Sequence, residues 1–348
     1  MRRAAKLLTL SLALVLAVSA LAACAQPTAP AATTAPTKAP AAAATTPAGG
    51  VAALSKEYKM SMATGGTAGT YYPYGGAIAG LWGKNLKGVT VTVEATGGSV
   101  ENMRRLASKE VELAFTQNDI ADYAYKGTEM FKDNKVTNFR SLAALYPEVL
   151  QWVVTPDIKS VADLKGKAFV VGAAGSGTEV NTRQVLESNG MSYKDLGKVL
   201  NLSFAEAATA MKDRQVQGFA VTGGVPTAAI TDAAASTSIA LLPIDGDFAK
   251  NTLDKNRFMV SAKIPANSYK GQTTDVNTVA VLSTLVVRED LDNDLVYWLT
   301  KTLFDKQAEL AAAHAKGKEL SKDTAIKGLT VPLHPGAEKY YKEIGLIK

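Results

Sequence analysis

The sequence predicts an α/β fold, in which strands and helices alternate along the chain. Three observations carry that expectation. Apolar, β-branched runs recur, each followed by a glycine-rich loop and then by a stretch with helical periodicity. The 348 residues are 47% hydrophobic and 20% charged, enough for packed cores in about two domains. One cysteine and two histidines exclude a disulfide framework and a Cys/His zinc site, and leave little for Cys-His or Ser-His catalysis.

The elements follow in order. Met1 to Lys6 is a short basic region, and Leu7 to Ala23 is an apolar run ending in small residues. It falls short of the roughly 20 residues of a membrane span and has the form of a cleavable signal peptide. Leu21-Ala22-Ala23-Cys24 resembles the bacterial lipobox, in which the cysteine is lipidated. Residues 1–23 are therefore expected to be a lipoprotein signal peptide. Residues 24–50 are expected to be lipidated Cys24 and an Ala/Thr/Pro-rich tether, without apolar periodicity, that holds the folded part beside a membrane outside the cytoplasm.

That segment also explains much of the basic balance. Residues 1–50 hold no acid, and without Arg2, Arg3, Lys6 and Lys38 the count is 34 basic against 32 acidic residues. A near-neutral domain with scattered basic residues is not a nucleic-acid reader.

Lys59 to Ala63 reads as a strand, followed by Thr64-Gly65-Gly66-Thr67-Ala68-Gly69-Thr70 and a helix through Ile78 and Trp82. Val89 to Val93 is a second strand, followed by Thr96-Gly97-Gly98-Ser99 and a helix with Val100, Met103, Leu106 and Ala107 on one face. Val111 to Phe115 is a third, with Asn118 or Asp119 suited to cap the next helix. Phe139 to Ala144 and Leu150 to Val154 are separate strand-like runs, and Val161 to Gly166 is a turn element. After the Ala168 to Val171 strand, Ser176 and Glu179 have the spacing of a capping box, and that helix ends at Asn189-Gly190. A helix at Glu206 to Arg214 and a strand at Gly218 to Val221 lead to Thr222-Gly223-Gly224-Val225-Pro226, with Pro226 suited to a first helical turn. Val279 to Val287 is a strand, and Asp290 to Ala315 is one long helix. Short helices with Val331-Pro332-Leu333-His334-Pro335-Gly336 between them close the chain.

In open α/β sheets ligands bind beyond the carboxyl ends of strands, where these glycine loops lie. Each loop leads to a helix N-terminus, whose free N–H groups attract anions. Ser99, Ser176, Thr178 and Thr222 add hydroxyls. Any one such loop is ordinarily just a turn; several together describe a small-anion site, most naturally for a carboxylate. The P-loop pattern is absent, and Gly175-Ser-Gly-Thr-Glu-Val lacks the third glycine of a dinucleotide fingerprint. Asp290-Leu-Asp292-Asn-Asp294 imitates the start of a calcium loop, but Leu295 and Lys301 occupy its Gly and Glu positions, so it reads as a helix cap. Neither a metal nor a cofactor is expected.

Single residues carry two readings each. His314 reads as helical, and His334 as ordering a turn, with a ligand role as the rival. Tyr71, Tyr72 and Tyr74 either line the site or pack beneath it. Trp82 and Trp298 read as core, and Arg183 as a surface residue or as ligand-facing.

Thr64-Gly-Gly-Thr-Ala-Gly-Thr-Tyr-Tyr-Pro-Tyr-Gly-Gly, Thr96-Gly-Gly-Ser-Val-Glu-Asn, Thr116-Gln-Asn-Asp, Gly175-Ser-Gly-Thr-Glu-Val and Pro332-Leu-His-Pro-Gly-Ala resemble the TAXI family. These are solute-binding proteins of tripartite ATP-independent periplasmic (TRAP) transporters. The resemblance implies a two-lobed, type II periplasmic-binding-protein-like fold, with lobe one at 54–148 plus 276–348 and lobe two at 149–275. The ligand cleft would lie between the lobes, which would hinge near Leu150 and Val279. It implies a site of Gly66, Thr67, Tyr71, Thr96, Gly98, Ser99, Asn102, Gln117, Asn118 and Asp119 from lobe one. Lobe two would add Gly175, Ser176, Thr178, Thr222, Gly224 and Val225. The cargo would be a small carboxylate, such as glutamate, a related dicarboxylate or a ketoacid, handed to the integral membrane subunits of an ion-driven permease. A receptor for an ATP-driven importer or a sensor kinase is the alternative, then an exported enzyme using the same cleft, then a structural surface lipoprotein.

Overall fold

A computed structural model describes residues 52–348, so the expected signal peptide, Cys24 and tether lie outside the described residues. The chain runs β1 (Ala52–Ala63), α1 (Tyr71–Asn85), β2 (Leu86–Glu94), α2 (Ser99–Ala107), β3 (Leu113–Gln117), α3 (Asn118–Lys126), β4 (Phe139–Val154) and β5 (Ala168–Val170). It continues α4 (Gly177–Ser188), β6 (Lys198–Leu200), α5 (Phe204–Lys212), β7 (Gly218–Gly223), α6 (Ala228–Ser236), β8 (Ala240–Leu242) and α7 (Gly246–Lys255). The last elements are β9 (Val260–Ile264), β10 (Val276–Arg288), α8 (Asn293–Asp305), α9 (Gln307–Ala313) and α10 (Pro335–Glu343).

The strands form one sheet in the order β2-β1-β3-β10-β4-β7-β5-β6, with β8 on β4 and β9 on β10. β1 pairs in parallel with β2 and β3, and β5 pairs in parallel with β6 and β7. Each parallel set meets one antiparallel strand, β10 beside β3 and β4 beside β7, and those two strands pair with each other. The order reads the same from either edge, with β4 and β10 at its centre.

Alternation along the strands divides the core into layers on both faces, because successive side chains point to opposite sides. Met60 and Met62 of β1, Leu113 and Phe115 of β3, and Leu285 and Val287 of β10 pack on one face with Trp82, Leu299 and Tyr341. Ala63, Ala114 and Val286 face the other way, against Val100, Met103 and Ile120. The same holds beyond residue 148: Leu150, Trp152 and Val154 pack with Val185 and Leu186, while Val149 and Val153 pack with Met211 and Ile230. Trp82 is fully buried and donates its indole N–H to the Leu299 carbonyl at 2.9 Å, consistent with its core reading.

Several local expectations change in the structure. The two runs at Phe139 and Leu150 are one strand of 16 residues. Pro147, which has no N–H to give, lies opposite Leu282 where the register with β10 shifts, so the ladder continues through it. The long helix after Asp290 is two, α8 and α9, broken at Lys306 (φ −107°, ψ 21°). Asp292 caps α8, its carboxylate accepting from the N–H groups of Asp294 and Leu295, as the cap reading expects. His314 is not helical: it ends α9 in extended backbone, and its Nδ1 accepts from the Lys316 N–H. Pro226 lies before α6 rather than in its first turn, and Thr227 takes the N-cap position. Asn118 and Asp119 are the first residues of α3, not its cap. Only half of the box at Ser176 forms. Ser176 accepts from the Glu179 N–H at 3.0 Å, but the Glu179 carboxylate takes the Tyr193 hydroxyl at 2.7 Å instead of reaching back. A complete box forms at Ser203 and Glu206, at the start of α5.

Candidate functional site

The carboxyl ends of β1, β2, β3, β5 and β7 turn their loops toward one cavity, and the N-termini of α1, α2, α4 and α5 border it. The lining includes Gly65, Gly66, Gly69 and Thr70 before α1, Thr96 to Ser99 before α2, and Gln117 at the end of β3. From the other half of the sheet come Ala173 and Ser176 to Thr178, Ser203 and Phe204, and Thr222 and Gly223. Tyr71, Tyr146 and Glu148 complete it. The cavity's free volume is about 80 Å³, several times the roughly 10–15 Å³ that one water needs.

Close approach of backbone shapes the walls. Gly98, the N-cap of α2, has φ +117°, a conformation that suits glycine, and faces Ser176. A Cβ on Gly177 would lie 2.0 Å from Gln117 Oε1, so glycine there lets the start of α4 reach the end of β3. The Gly175 carbonyl accepts from the N–H groups of Val100 and Glu101 at 3.1 and 3.0 Å, so a protein acceptor covers part of the α2 terminus.

Further contacts tie the two sets of loops together. The Gly224 N–H donates to Thr70 Oγ1 at 3.0 Å, and the Ala229 N–H to the Ala68 carbonyl at 3.2 Å. On α3, the buried carboxylate of Asp119 accepts from Asn181 Nδ2 at 3.0 Å, and that of Asp122 pairs with Arg257 at 2.6 Å.

The structure brings nine of the sequence-expected residues to the cavity: Gly66, Tyr71, Thr96, Gly98, Ser99, Gln117, Ser176, Thr178 and Thr222. The others lie outside its lining. Thr67 is exposed. Asn102 is a buried brace, donating to the carbonyls of Thr64 and Phe115 at 2.6 and 2.8 Å and accepting from Thr96 Oγ1. Asn118 bridges the Gly328 carbonyl and the Leu282 N–H. Asp119, Gly175 and Gly224 hold neighbouring loops as just described, and Val225 packs on the apolar cluster around Ile230. Arg183 pairs with Glu187 on the outer side of α4. His334 is fully buried as the N-cap of α10, with Nδ1 accepting from the Gly336 N–H.

Sequence reasoning missed Tyr146 and Glu148, which stand two residues apart on β4. Glu148 is 2% exposed, and burial pushes its carboxyl from the ordinary 4.5 up to about 8. Tyr71, Gln117 and Ser283 draw it part of the way back, and Gln117 Nε2 donates to it at 3.4 Å. Burial, and then the Glu148 charge, raise the phenols of Tyr71 and Tyr146. Gln117 Oε1 has no hydrogen-bond partner in the protein, whereas the phenols of Tyr71 and Tyr146, Ser283 Oγ and Glu148 interact with one another without closing a short hydrogen bond. An unmade buried hydrogen bond costs about 1–3 kcal/mol, which favours a polar molecule, water or solute, beside these groups. The missed signal was a single acid inside the apolar run from Phe139 to Val154.

Comparison with known proteins gives a family and a fold. A model described as the NMT1-like family matches residues 62–345. A solved protein of Bordetella bronchiseptica RB50 matches with a TM-score of 0.51 at 18% identity, covering 82% of this chain and 88% of that one. The periplasmic aliphatic sulphonate binding protein SsuA from Escherichia coli matches with 0.47 at 17% identity, over 83% and 84% of the two chains. PhnD1 from Prochlorococcus marinus (MIT 9301), solved in complex with methylphosphonate, matches with 0.46 at 12%, over 83% and 99%. The mixed α/β fold expected from the sequence is the fold of the chain, and the Bordetella bronchiseptica protein shares it.

Proposed function

We propose, starting from a chain that belongs to the NMT1-like family, that this protein is an extracytoplasmic receptor for a small solute. The observation that carries the reading is the cavity itself. Its walls come from loops of both halves of the sheet, and four buried polar side chains, Tyr71, Gln117, Tyr146 and Glu148, line it. Among the described residues its lining offers hydroxyls, an amide and one carboxyl, with no imidazole, amine or thiol, which favours binding over turnover.

The two halves act as lobes in this proposal, 54–148 plus 276–348 and 149–275. They close by hinge motion where β4 and β10 cross between them, near Leu150 and Val279. The contacts of Thr70 with Gly224, Asp119 with Asn181 and Asp122 with Arg257 then belong to the closed form. Micromolar affinity requires about 8 kcal/mol. One helix terminus supplies about 0.3–2 kcal/mol per charge, so several termini and closure must act together.

The cargo is a small carboxylate, and the protein hands it to an importer in the membrane, held nearby by a lipid on Cys24. Two partner types suit such a receptor. The glycine motifs resemble receptors of ion-driven TRAP permeases, and a receptor of an ATP-driven importer meets the same structural requirements. Transport into vesicles carrying the cognate membrane subunits separates them: uptake follows an imposed sodium gradient in one case and internal ATP in the other.

The first test is thermal unfolding of ligand-stripped protein against amino acids, mono- and dicarboxylates and ketoacids. A ligand at about 100 times its dissociation constant adds roughly 2.7 kcal/mol of stability. A shift with one class of acid, without chemical conversion of it, is the expected result. Conversion of the ligand would replace the receptor by an enzyme, and no shift with any acid would end the carboxylate reading.

A further inference from the structure

Among the described residues, the cavity lining carries one carboxyl, two phenols and no Lys, Arg or His. The carboxyl belongs to Glu148 of β4, and the elements packed directly around it bring no cation. Tyr71 of α1, Gln117 of β3, Ser283 of β10 and Tyr146 of its own strand surround it, and Asp119 of α3 adds a repelling charge. Tyr74, with His314 against its ring, and Glu319 stand behind Tyr146. Lys316, after α9, lies over the Tyr146 ring at 5.5 Å but is paired with Glu319. Glu148 accepts from Gln117 Nε2 at 3.4 Å, and its Oε1 closes no short hydrogen bond with its neighbours. Such a carboxyl, 2% exposed, keeps its proton below about pH 8. An ionised Glu148 beside a solute carboxylate would hold two like charges in about 80 Å³ with no cation between them.

Resting on the carboxylate-receptor reading above, we infer that Glu148 is a specificity residue that meets the solute as a neutral carboxylic acid: its O–H donates to a solute carboxylate oxygen, and in alkaline solution the anion binds together with one proton. A neutral acid has one O–H to give, and a carboxylate oxygen is a strong acceptor for it. The helix N-termini in the walls favour the same negative charge. The site thus answers an anion with dipoles and one shared proton, in place of a salt bridge. The sign of the pH dependence follows. Between about pH 7 and 8 the empty site largely holds the proton already, and affinity is nearly level. At higher pH each bound anion takes a proton from solution, and affinity falls about tenfold per pH unit. Tyr71 and Tyr146 are pushed up beyond this range and Asp119 titrates near 6, so the window belongs to Glu148.

The test is calorimetric titration of full-length, ligand-stripped protein with glutamate, 2-oxoglutarate, succinate and pyruvate, at pH 7 and 9, in two buffers of different ionisation enthalpy. For an acid that binds, wild-type affinity is expected to fall about tenfold from pH 7 to 9, and proton uptake to rise from near zero to close to one per solute. The E148Q amide donates an N–H in place of the O–H and does not titrate. That variant is expected to bind within about threefold of wild type at pH 7, to keep its affinity at pH 9 and to take up no proton. The comparison cancels any titration of the solute itself. Level wild-type affinity without proton uptake, or the same fall in both proteins, overturns the inference and leaves the receptor reading standing. A loss of about 100-fold in folded E148Q at pH 7 overturns it too, because Glu148 would then act as an ionised acceptor. Absence of binding by all four acids overturns both the inference and the carboxylate reading. Should E148Q fail to fold, proton uptake by wild type at pH 9 decides alone.

Discussion

Replacing Glu148 by Gln is expected to stabilise the ligand-free protein in alkaline solution and to leave it almost unchanged in acid. The carboxyl is fully buried and titrates near 8, against an ordinary value of 4.5. The folded protein therefore keeps a proton that the unfolded chain releases. Stability from this group is whole below about pH 4.5, declines as pH rises, and is lost once pH passes about 8. At 1.36 kcal/mol per pH unit the loss across that window is on the order of 5 kcal/mol. Groups around it have distinct ranges. Tyr71 of α1 and Tyr146 of β4 are pushed up, away from the window, and Asp119 of α3 titrates near 6 with the same sign. The difference between wild type and E148Q removes the Asp119 contribution, since both proteins retain it. Urea unfolding followed by circular dichroism at pH 5, 6.5 and 8.5 measures that difference. A gap in favour of E148Q that widens by several kcal/mol from pH 5 to 8.5 is expected. Parallel pH profiles would show that Glu148 stays ionised or solvated and would refute the reasoning.

Other perturbations follow from the same geometry. Gly177→Ala sets a methyl where Gln117 Oε1 lies, so the amide must move; solute affinity, read by calorimetry, is expected to fall at least about tenfold while unfolding free energy changes by about 1 kcal/mol or less. Arg257→Ala removes an exposed partner of the buried Asp122 carboxylate. Lys126 still pairs with that carboxylate, so the stability cost is expected to be about 1–3 kcal/mol, and small-angle scattering should find the solute-free variant more extended than wild type. Phe115→Ala empties a fully buried position beneath the Tyr71 ring, 4.9 Å away, and should cost about 3–5 kcal/mol in urea unfolding.

Much of the site was legible in the sequence because its framework is repetitive. Thr64 and Thr96 each open a Thr-Gly-Gly loop after a strand, Thr222-Gly223-Gly224 closes β7, and the structure brings part of all three to one cavity. Ser99, Ser176 and Thr178 lie there for the same reason, at the starts of helices. Asn102 and Asn118 have the same polar character and sit in the same motifs, yet they turn to backbone carbonyls of Thr64, Phe115 and Gly328. Which way a side chain faces around a helix start depends on the acceptors that other elements place beside it. Glu148 was overlooked because it falls in the gap between the two runs read at Phe139 to Ala144 and Leu150 to Val154, and its central position in the sheet follows from the pairing of β4 with β10 and β7.

The sequence by itself determined what acts over a few residues: the apolar runs that become strands, the cap at Asp292, and the glycine loops that end β1, β2 and β7. These depend on backbone sterics and on hydrogen bonds between near neighbours, which residue type sets directly. The tertiary structure decided what depends on distant partners. It joined the runs on either side of Pro147 into one strand, seated the Gly175 carbonyl on α2, and drew Gln117, Tyr146 and Glu148 around one cavity. The physical reason is burial: a carboxyl at position 148 is an ordinary acid in the unfolded chain, and only the packing of β3, β4, β10 and α1 around it takes away its water.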